Sequence, residues 1–400
     1  MMHYLVVGAG NIGRCLISDV LGADPEAHVT AIDNDQHSLA AAMQMTAAGR
    51  VSCFESDVSE PGALAKYIKD AAIVVNTTDG SKSIEILRAA IQARIPYLDV
   101  HGTLLVNERL ALMAAAEAAG VTALIGMGCS PGITNMLAGY GARNAIGAIT
   151  VEVEYVTHRP MNPSLGLLDT ALRQFRNNVR STVFEDGIYH SKLPFEGELC
   201  TRFPGMAEEV DLVYTPHSET LTLPRFVPGL RKVTVRGAYQ PQMMALLKAL
   251  YGFGLMQPDL KVNVGGVQHD FQPILRDALM GDGSLKPAGV TPLYLLRVRV
   301  TGEQPGRRVI SEMTVGHPPG WDPLPQGRMT ALPASFTAQM MARREFQRFG
   351  VCGPETFTDS QVEACLAYLH ARGLWTIMDR REIQVSADPA QAREQDSSPS

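Results

Sequence analysis

The sequence predicts an α/β fold, a doubly wound parallel sheet joined to a second, strand-rich domain. Three observations predict it. The chain opens on a short apolar run, HYLVV, that passes directly into the glycine-spaced turn GAGNIG. Strand-sized and helix-sized segments then alternate as far as residue 128, the rhythm of βαβ units. From about residue 148 the pattern changes to strands of period two.

Each element has its own reason. HYLVVGAG is a β-branched apolar run ending in glycine, as a buried parallel strand should be. NIGRCLISDVLG carries helical spacing through Ile12, Leu16, Ile17 and Val20 and stops at Gly22. AHVTAID (27–33) reads as the second strand. Helix 38–49, strand 50–58, helix 60–71 with Pro61 near its first turn, strand 72–80, helix 83–94 and strand 96–100 continue the series. Helix 107–120, closed by Gly120, and strand 121–128 complete it, and ITNMLAGYGAR reads as a helix after the loop CSPG. Beyond it, ITVEVEYVTH (149–158) alternates like a half-buried antiparallel strand. TVFEDGIYHS with a turn at Asp186-Gly187, EEVDLVYT, KVTVRG, LYLLRVRVTGE and RRVISEMTV are further strands. The last two form a hairpin across EQPG, behind a helix at QMMALLKALYG. An open antiparallel sheet backed by helices is therefore expected.

Composition narrows the function classes. At 400 residues two intimately joined domains are expected. A formal charge of −6, with Lys and Arg scattered, argues against nucleic acid or an anionic membrane as partner. No stretch reaches the roughly 18 uncharged apolar residues of a membrane span. The six cysteines lie far apart without a CxxC pair. They suit free thiols and a cytoplasmic setting better than a disulfide framework or zinc knuckle. No metal site is expected: His190, His217 and His317 read as polar-loop residues with no ligand spacing.

The opening turn carries the first chemistry. Gly8, Gly10 and Gly13 complete a G-x-G-x-x-G between strand and helix. The first glycine permits the tight turn, the second lets backbone approach a pyrophosphate, and the third lets helix and strand pack closely. Unpaired N–H groups at the helix N-terminus then face the phosphates. Asp33 stands 20 residues past Gly13, where a carboxylate grips an adenosine ribose. Asn34 follows, with no Arg there for a 2′-phosphate, which favours NAD, with NADP as the alternative. Ligands on such sheets lie beyond the carboxyl ends of the strands. Cofactor contacts are therefore expected at Gly8, Gly10, Asn11, Ile12, Gly13, Asp33 and Asn34, and at the strand ends Asp57, Val58, Thr77, Thr78, Ser130 and Pro131.

VVGAGNIG, VVNTTDG, YLDVHG, GVTALIGMGCSPGITNMLA and PASFTAQMMARREFQRFGV, in that order, resemble the saccharopine dehydrogenase-like family. The likeness covers roughly 1–140, parts of 210–255, and 330–380. It implies a Rossmann domain (1–130), an inserted α+β domain for substrate and dimerisation (131–330) and C-terminal helices returning to the first domain (331–385). The polar tail 386–400, SADPAQAREQDSSPS, is short of apolar anchors and is expected to be disordered. The resemblance also implies a homodimer, and hydride transfer between a nicotinamide and the carbon of a C–N bond in an amino-acid-like or opine-like substrate. Ser130 departs from the Asp often found before the Pro-Gly of that loop, and a family tryptophan segment is missing. Those departures keep a second reading open, a catalytically idle nucleotide-binding redox sensor or assembly protein.

The reaction needs a proton-transfer group near the hydride-bearing carbon. His101, past the fifth strand, is the best-placed histidine; its rival role is packing or touching the cofactor ribose. Asp99 either orients His101, binds a substrate ammonium or caps the loop. Cys129 is a cleft contact or an apolar filler. A substrate carboxylate calls for Arg. Arg236 is the candidate through the family match, with Arg173 and Arg225 behind it, and the rival for each is a solvated surface group.

Overall fold

The computed structural model describes residues 2–45, 49–60, 62–159, 165–281 and 290–384. Pro61 and the 386–400 tail lie outside the described residues. The N-terminal part runs β1 (His3–Val7), α1 (Asn11–Ala23), β2 (His28–Asp33), α2 (Gln36–Met43), β3 (Val51–Glu55), α3 (Ala65–Ile68), β4 (Ile73–Asn76), α4 (Ser83–Ala93), β5 (Tyr97–Asp99), α5 (Val106–Leu110), α6 (Met113–Ala119) and β6 (Thr122–Leu124). The helix expected over 107–120 is thus two helices, and the one expected over 60–71 is a single turn.

After α7 (Ile133–Arg143) the second part runs β7 (Ala148–His158), α8 (Leu165–Gln174), β8 (Ser181–Glu185), β9 (Ile188–Lys192), β10 (Leu199–Thr201), β11 (Val210–Tyr214), α9 (Glu219–Phe226), β12 (Leu230–Tyr239), α10 (Pro241–Gly252), β13 (Lys261–Val264), β14 (Val267–Asp270), α11 (Phe271–Met280), β15 (Leu293–Gln304) and β16 (Arg307–Gly316). The chain ends through α12 (Pro325–Ala342), β17 (Gly350–Cys352), α13 (Asp359–His370) and β18 (Trp375–Gln384). The stretch read as C-terminal helices therefore also supplies a strand to each large sheet.

The first sheet is seven-stranded and parallel, in the order β17-β6-β5-β4-β1-β2-β3. This is the doubly wound order, and the chain reverses direction across the sheet between β1 and β4. A ligand crevice opens beyond the carboxyl ends at such a switch point. The second sheet has nine strands, β10-β11-β12-β7-β15-β16-β18 with β8 and β9 attached at β12. It is mixed rather than antiparallel: β7 pairs antiparallel with β15 but parallel with β12. The alternation of β7 shows which face is buried, since period two cannot show which neighbour runs which way.

Val151, Val153 and Tyr155 of β7 share one core cluster with Ile133, Met136 and Leu137 of α7 and with Leu98 and Leu124 of the first sheet. Glu152 and Glu154 take the opposite face, opposed in register to Arg299 and Arg297. One apolar layer therefore joins the two sheets, with α7 between them. α12 packs along α1 and lines the same core through Met329, Ala334 and Ala338. Among the described residues no helix is long and apolar enough to cross a membrane.

Candidate functional site

The glycine turn is shaped as the spacing requires. Gly8 sits at φ +100°, and a Cβ there would run into the Thr77–Thr78 backbone; a Cβ on Gly13 would overlap the Gly8 carbonyl. A Cβ on Gly10 meets nothing within 4 Å. Two glycines are thus needed by the protein's own packing, whereas Gly10 faces an open cradle at the start of α1. Asp33 closes the turn from β2: its carboxylate accepts from the Ala9 N–H at 2.6 Å and the Asp35 N–H at 3.0 Å. Thr77 donates from Oγ1 to the Gly8 carbonyl at 2.7 Å, tying β4 to the turn. The Thr78 hydroxyl donates to Asn76 Oδ1 at 2.8 Å. These groups fit a dinucleotide: free helix N–H groups beyond Gly10 for a diphosphate, and a strand-end carboxylate for a ribose.

The remaining expected contacts divide. Asn11 lies against Gly327 of α12, Ile12 packs on the core, and Asn34 is exposed beyond β2. Asp57 accepts from the Ser59 N–H at 2.8 Å in its own turn, and Val58 packs on the core beside it. Pro131 packs against Gly102 and Gly126, so the loops after β5 and β6 close on one another.

Three candidates from the sequence take other roles. Asp99 is fully buried and receives Arg109 at 2.7 Å on both oxygens, with the Gly126 N–H at 2.8 Å and the Tyr97 hydroxyl at 2.9 Å. Burial alone would raise its carboxyl, but the Arg109 guanidinium, His101 and the Gly126 N–H together outweigh burial and hold it below the usual range. It touches His101 through that residue's backbone N–H at 3.2 Å, not through the ring. Asp99 is the buried partner of Arg109 and has no oxygen directed at a substrate. Cys129 lies in the core, its Sγ 3.1 Å from Thr330 Oγ1 and 3.4 Å from the Tyr294 hydroxyl. Burial pushes its thiol up, which keeps it protonated and unreactive. Arg236 stands on the face of the second sheet opposite Tyr155. It donates to the Gly197 carbonyl and the Tyr214 hydroxyl, each at 2.9 Å, and lies over the Tyr214 ring. Adjacent positions on a strand point to opposite faces, which places Arg236 on the face away from the cleft.

Arg173 and Arg225 separate as well. Arg225 is exposed at the end of α9. Arg173, at the end of α8, pairs with Asp169 at 2.5 Å, its Nε is buried without a partner, and its charge acts on Asp79 just past β4. Asp79 also feels His101. The His101 Nε2 is buried with no partner, and burial pushes its imidazole down to about 4 against the pull of Asp99 and Asp79.

The structure adds a group that the sequence reading placed in a polar loop. His217 is buried, 9% exposed, and its ring stacks on Tyr155 with centroids 5.1 Å apart. His217 Nδ1 lies 3.5 Å from Glu219 Oε2 and 3.4 Å from Ser130 Oγ. Ser130 donates to Glu219 Oε1 at 2.7 Å, and Thr134 donates to the same oxygen at 2.8 Å. On the far side of the ring Gln174 Nε2 lies 3.3 Å from His217 Nε2, while Gln174 Oε1 accepts from the Tyr239 hydroxyl at 2.8 Å. Burial would raise the Glu219 carboxyl; His217 and the Ser130 hydroxyl outweigh it and hold the group below its usual range. Pro224 inside α9 hid this helix from a pattern reading, since Pro signals a helix end. His217 does lie in the loop between β11 and α9, but buried; His190 is on a strand, β9, rather than in a loop, and His317 is in a loop but buried, its Nε2 accepting the Tyr294 N–H at 3.0 Å.

Asp79, His101, Ser130 and Pro131 thus lie at the carboxyl ends of β4, β5 and β6, with Arg173 and Gln174 of α8 and His217 set against them. The glycine turn enters this crevice from one end.

Known proteins bear on this geometry. Residues 4–124 match the family model described as the saccharopine dehydrogenase NADP binding domain. The fold is similar to that of apo saccharopine dehydrogenase (L-Glu forming) from Saccharomyces cerevisiae, with a TM-score of 0.64 and 13% identity over 95% of this chain and 100% of that one. Weaker likenesses are GenD2 from gentamicin A biosynthesis, in complex with NAD (TM-score 0.41, 14% identity, 92% of each chain), and an oxidoreductase from Agrobacterium radiobacter (TM-score 0.39, 12% identity, 96% of this chain and 98% of that one). Residues 4–124 are thus an NAD(P)-binding domain of the saccharopine dehydrogenase type, and the chain as a whole shares the fold of the yeast protein.

Proposed function

We propose that the protein transfers a hydride to or from the carbon of a C–N bond in an amino-acid-like or opine-like substrate. The observation that carries this reading is Arg173. A guanidinium whose buried Nε has no partner stands at the rim of the crevice beside Asp79, a donor suited to a substrate carboxylate. The yeast protein of similar fold, a saccharopine dehydrogenase by name, supports a substrate of the same class.

Gly8, Gly10 and Gly13 with the first turn of α1 would hold the diphosphate, and Asp33 the adenosine ribose; with no Arg beside Asn34, NAD is the favoured coenzyme. When bound, the nicotinamide supplies a carbon that takes or gives a hydride. The chain's own groups do the rest. Arg173 orients the carboxylate, Asp79 offers a negative charge to an amine, and His101, kept neutral by burial, lines the crevice and excludes water.

Purified protein with NADH or NADPH, offered 2-oxo acids paired with amines, tests the reading through nicotinamide absorbance. Turnover is expected, with Arg173→Ala raising KM for the oxo acid by about tenfold or more. Tight coenzyme binding without turnover on any pair would favour the idle-sensor reading instead.

A further inference from the structure

We propose that Ser130 is the group through which the substrate's proton enters and leaves the crevice, with Glu219 and His217 behind it as the pair that holds that proton. This role rests on the oxidoreductase reading above. In the oxidative direction the substrate's C–H bond breaks and its hydride carries two electrons to the coenzyme, while the nitrogen loses its N–H proton and its lone pair closes the C=N bond. That proton passes to Ser130 Oγ as the serine's own proton moves along the 2.7 Å bond to Glu219 Oε1. The Glu219–His217 pair ends with one proton more. Reduction runs the same path backwards.

The placement supports this path. Ser130 is only partly covered at the end of the β6 loop, whereas Glu219 is fully buried and His217 nearly so. One hydroxyl is therefore the link between the crevice and a sealed carboxylate. Glu219 Oε2 is buried without a hydrogen-bond partner, 3.5 Å from His217 Nδ1, an arrangement that favours an extra proton between them. The other candidates near the crevice are closed to the task. Asp99 is held by Arg109, Cys129 sits in the core, and His101 is pushed down to about 4 by burial.

The groups facing the pair are named by element. Tyr155 of β7 stacks on His217, Gln174 of α8 meets its Nε2, and Tyr239 of β12 bonds Gln174. Thr134 of α7 donates to Glu219, and behind them Asn135 donates to Glu355 Oε2 at 3.0 Å. Glu355, pushed up to about 7 chiefly by burial and last by Glu219, is the neutral member of this carboxyl pair through most of the acid range.

A pin that merely tied α9 to the β6 loop would show in stability alone, so the test reads chemistry. Ser130→Ala should lower kcat about 100-fold, with KM and the NADH Kd within about threefold of the parent. Ser130→Thr, which keeps the hydroxyl, should recover most of the loss. Glu219→Gln should displace the neutral-region limb of the kcat/KM pH profile, whereas His101→Asn lowers the rate but keeps that limb.

A Ser130→Ala variant whose only loss is in Kd or KM overturns the proposal. If Ser130→Ala is unfolded by circular dichroism, the isosteric Glu219→Gln carries the same pH-limb test. Wild-type protein that binds NADH yet turns over no amine and oxo-acid pair overturns the C–N reading and this role together. Turnover with an unchanged pH limb in Glu219→Gln overturns this role alone.

Discussion

Ser130 and Glu219, 89 positions apart, are joined by a 2.7 Å hydrogen bond that links the strand-end loop after β6 to the first turn of α9. The bond sets a buried carboxylate from the second domain directly behind the loop that borders the first domain's crevice. The candidate site is therefore built from groups on both sides of the shared core, and each side has its own way of failing.

The buried ion pair beneath the crevice sets one expectation. Arg109→Met leaves the Asp99 carboxylate sealed with no counter-charge. Removing one partner of such a pair destabilises by about 3–5 kcal/mol. Urea denaturation at neutral pH should show this loss, and the double variant Asp99→Asn with Arg109→Met should recover a large part of it. A single variant as stable as the parent would remove Arg109 as the group that makes Asp99 tolerable in the core.

Gly10 and Gly13 should respond in opposite ways to alanine. Gly13→Ala forces a methyl into the Gly8 carbonyl, so the protein should lose several degrees of Tm along with coenzyme binding. Gly10→Ala meets open space at an extended backbone. It should melt within a degree or two of the parent while weakening NADH by about tenfold or more, because its methyl stands where the diphosphate approaches. Isothermal calorimetry beside a melting curve separates the two; equal melting losses would contradict the open cradle.

Asp33 accepts the Ala9 N–H, and in the proposed reading its remaining lone pairs hold the adenosine ribose. Asp33→Ala should therefore weaken both coenzymes through a looser turn, and NADH far more than NADPH. Fluorescence titration with each coenzyme checks the difference. Equal losses would show that the carboxylate serves the turn alone.

Glu355 predicts a pH slope. Burial pushes its carboxyl up to about 7 in the folded chain, above the ordinary glutamate value, so the folded state keeps a proton that the unfolded chain has released. Its contribution is complete in acid and is lost as pH rises from the ordinary glutamate range through about 7. The loss is of order 3 kcal/mol. Glu355→Gln should gain on the parent by that order between pH 5 and pH 8 in urea denaturation. Parallel stability profiles would show that Glu355 is already ionised at pH 5.

Much of the first domain was legible because its signals are local. The spacing of Gly8, Gly10 and Gly13, and Asp33 at the end of the next apolar run, dictate a turn, a helix start and a strand end within a few residues of themselves. The second domain was legible strand by strand, as at β7 and the β15–β16 hairpin, but not in its pairing. β12 lies alongside β7 in parallel, and neither sequence carries a mark of that neighbour. The site residues divide by the same rule. His101 and Ser130 could be placed at strand ends by counting, but Asp99 looked available because its partner Arg109 and the backbone N–H of Gly126 reach it only through the fold. Arg236 looked suitable until the pleat put it on the far face.

By itself the sequence determined the coenzyme-binding domain of this protein, since a glycine's torsional freedom and a strand's apolar run act through neighbours in the chain. Tertiary structure alone decided which titratable groups are free, which are locked and which are hidden. Burial and charge pairing depend on what stands within a few ångströms in space, and for His217, Glu219 and Ser130 those neighbours come from different domains.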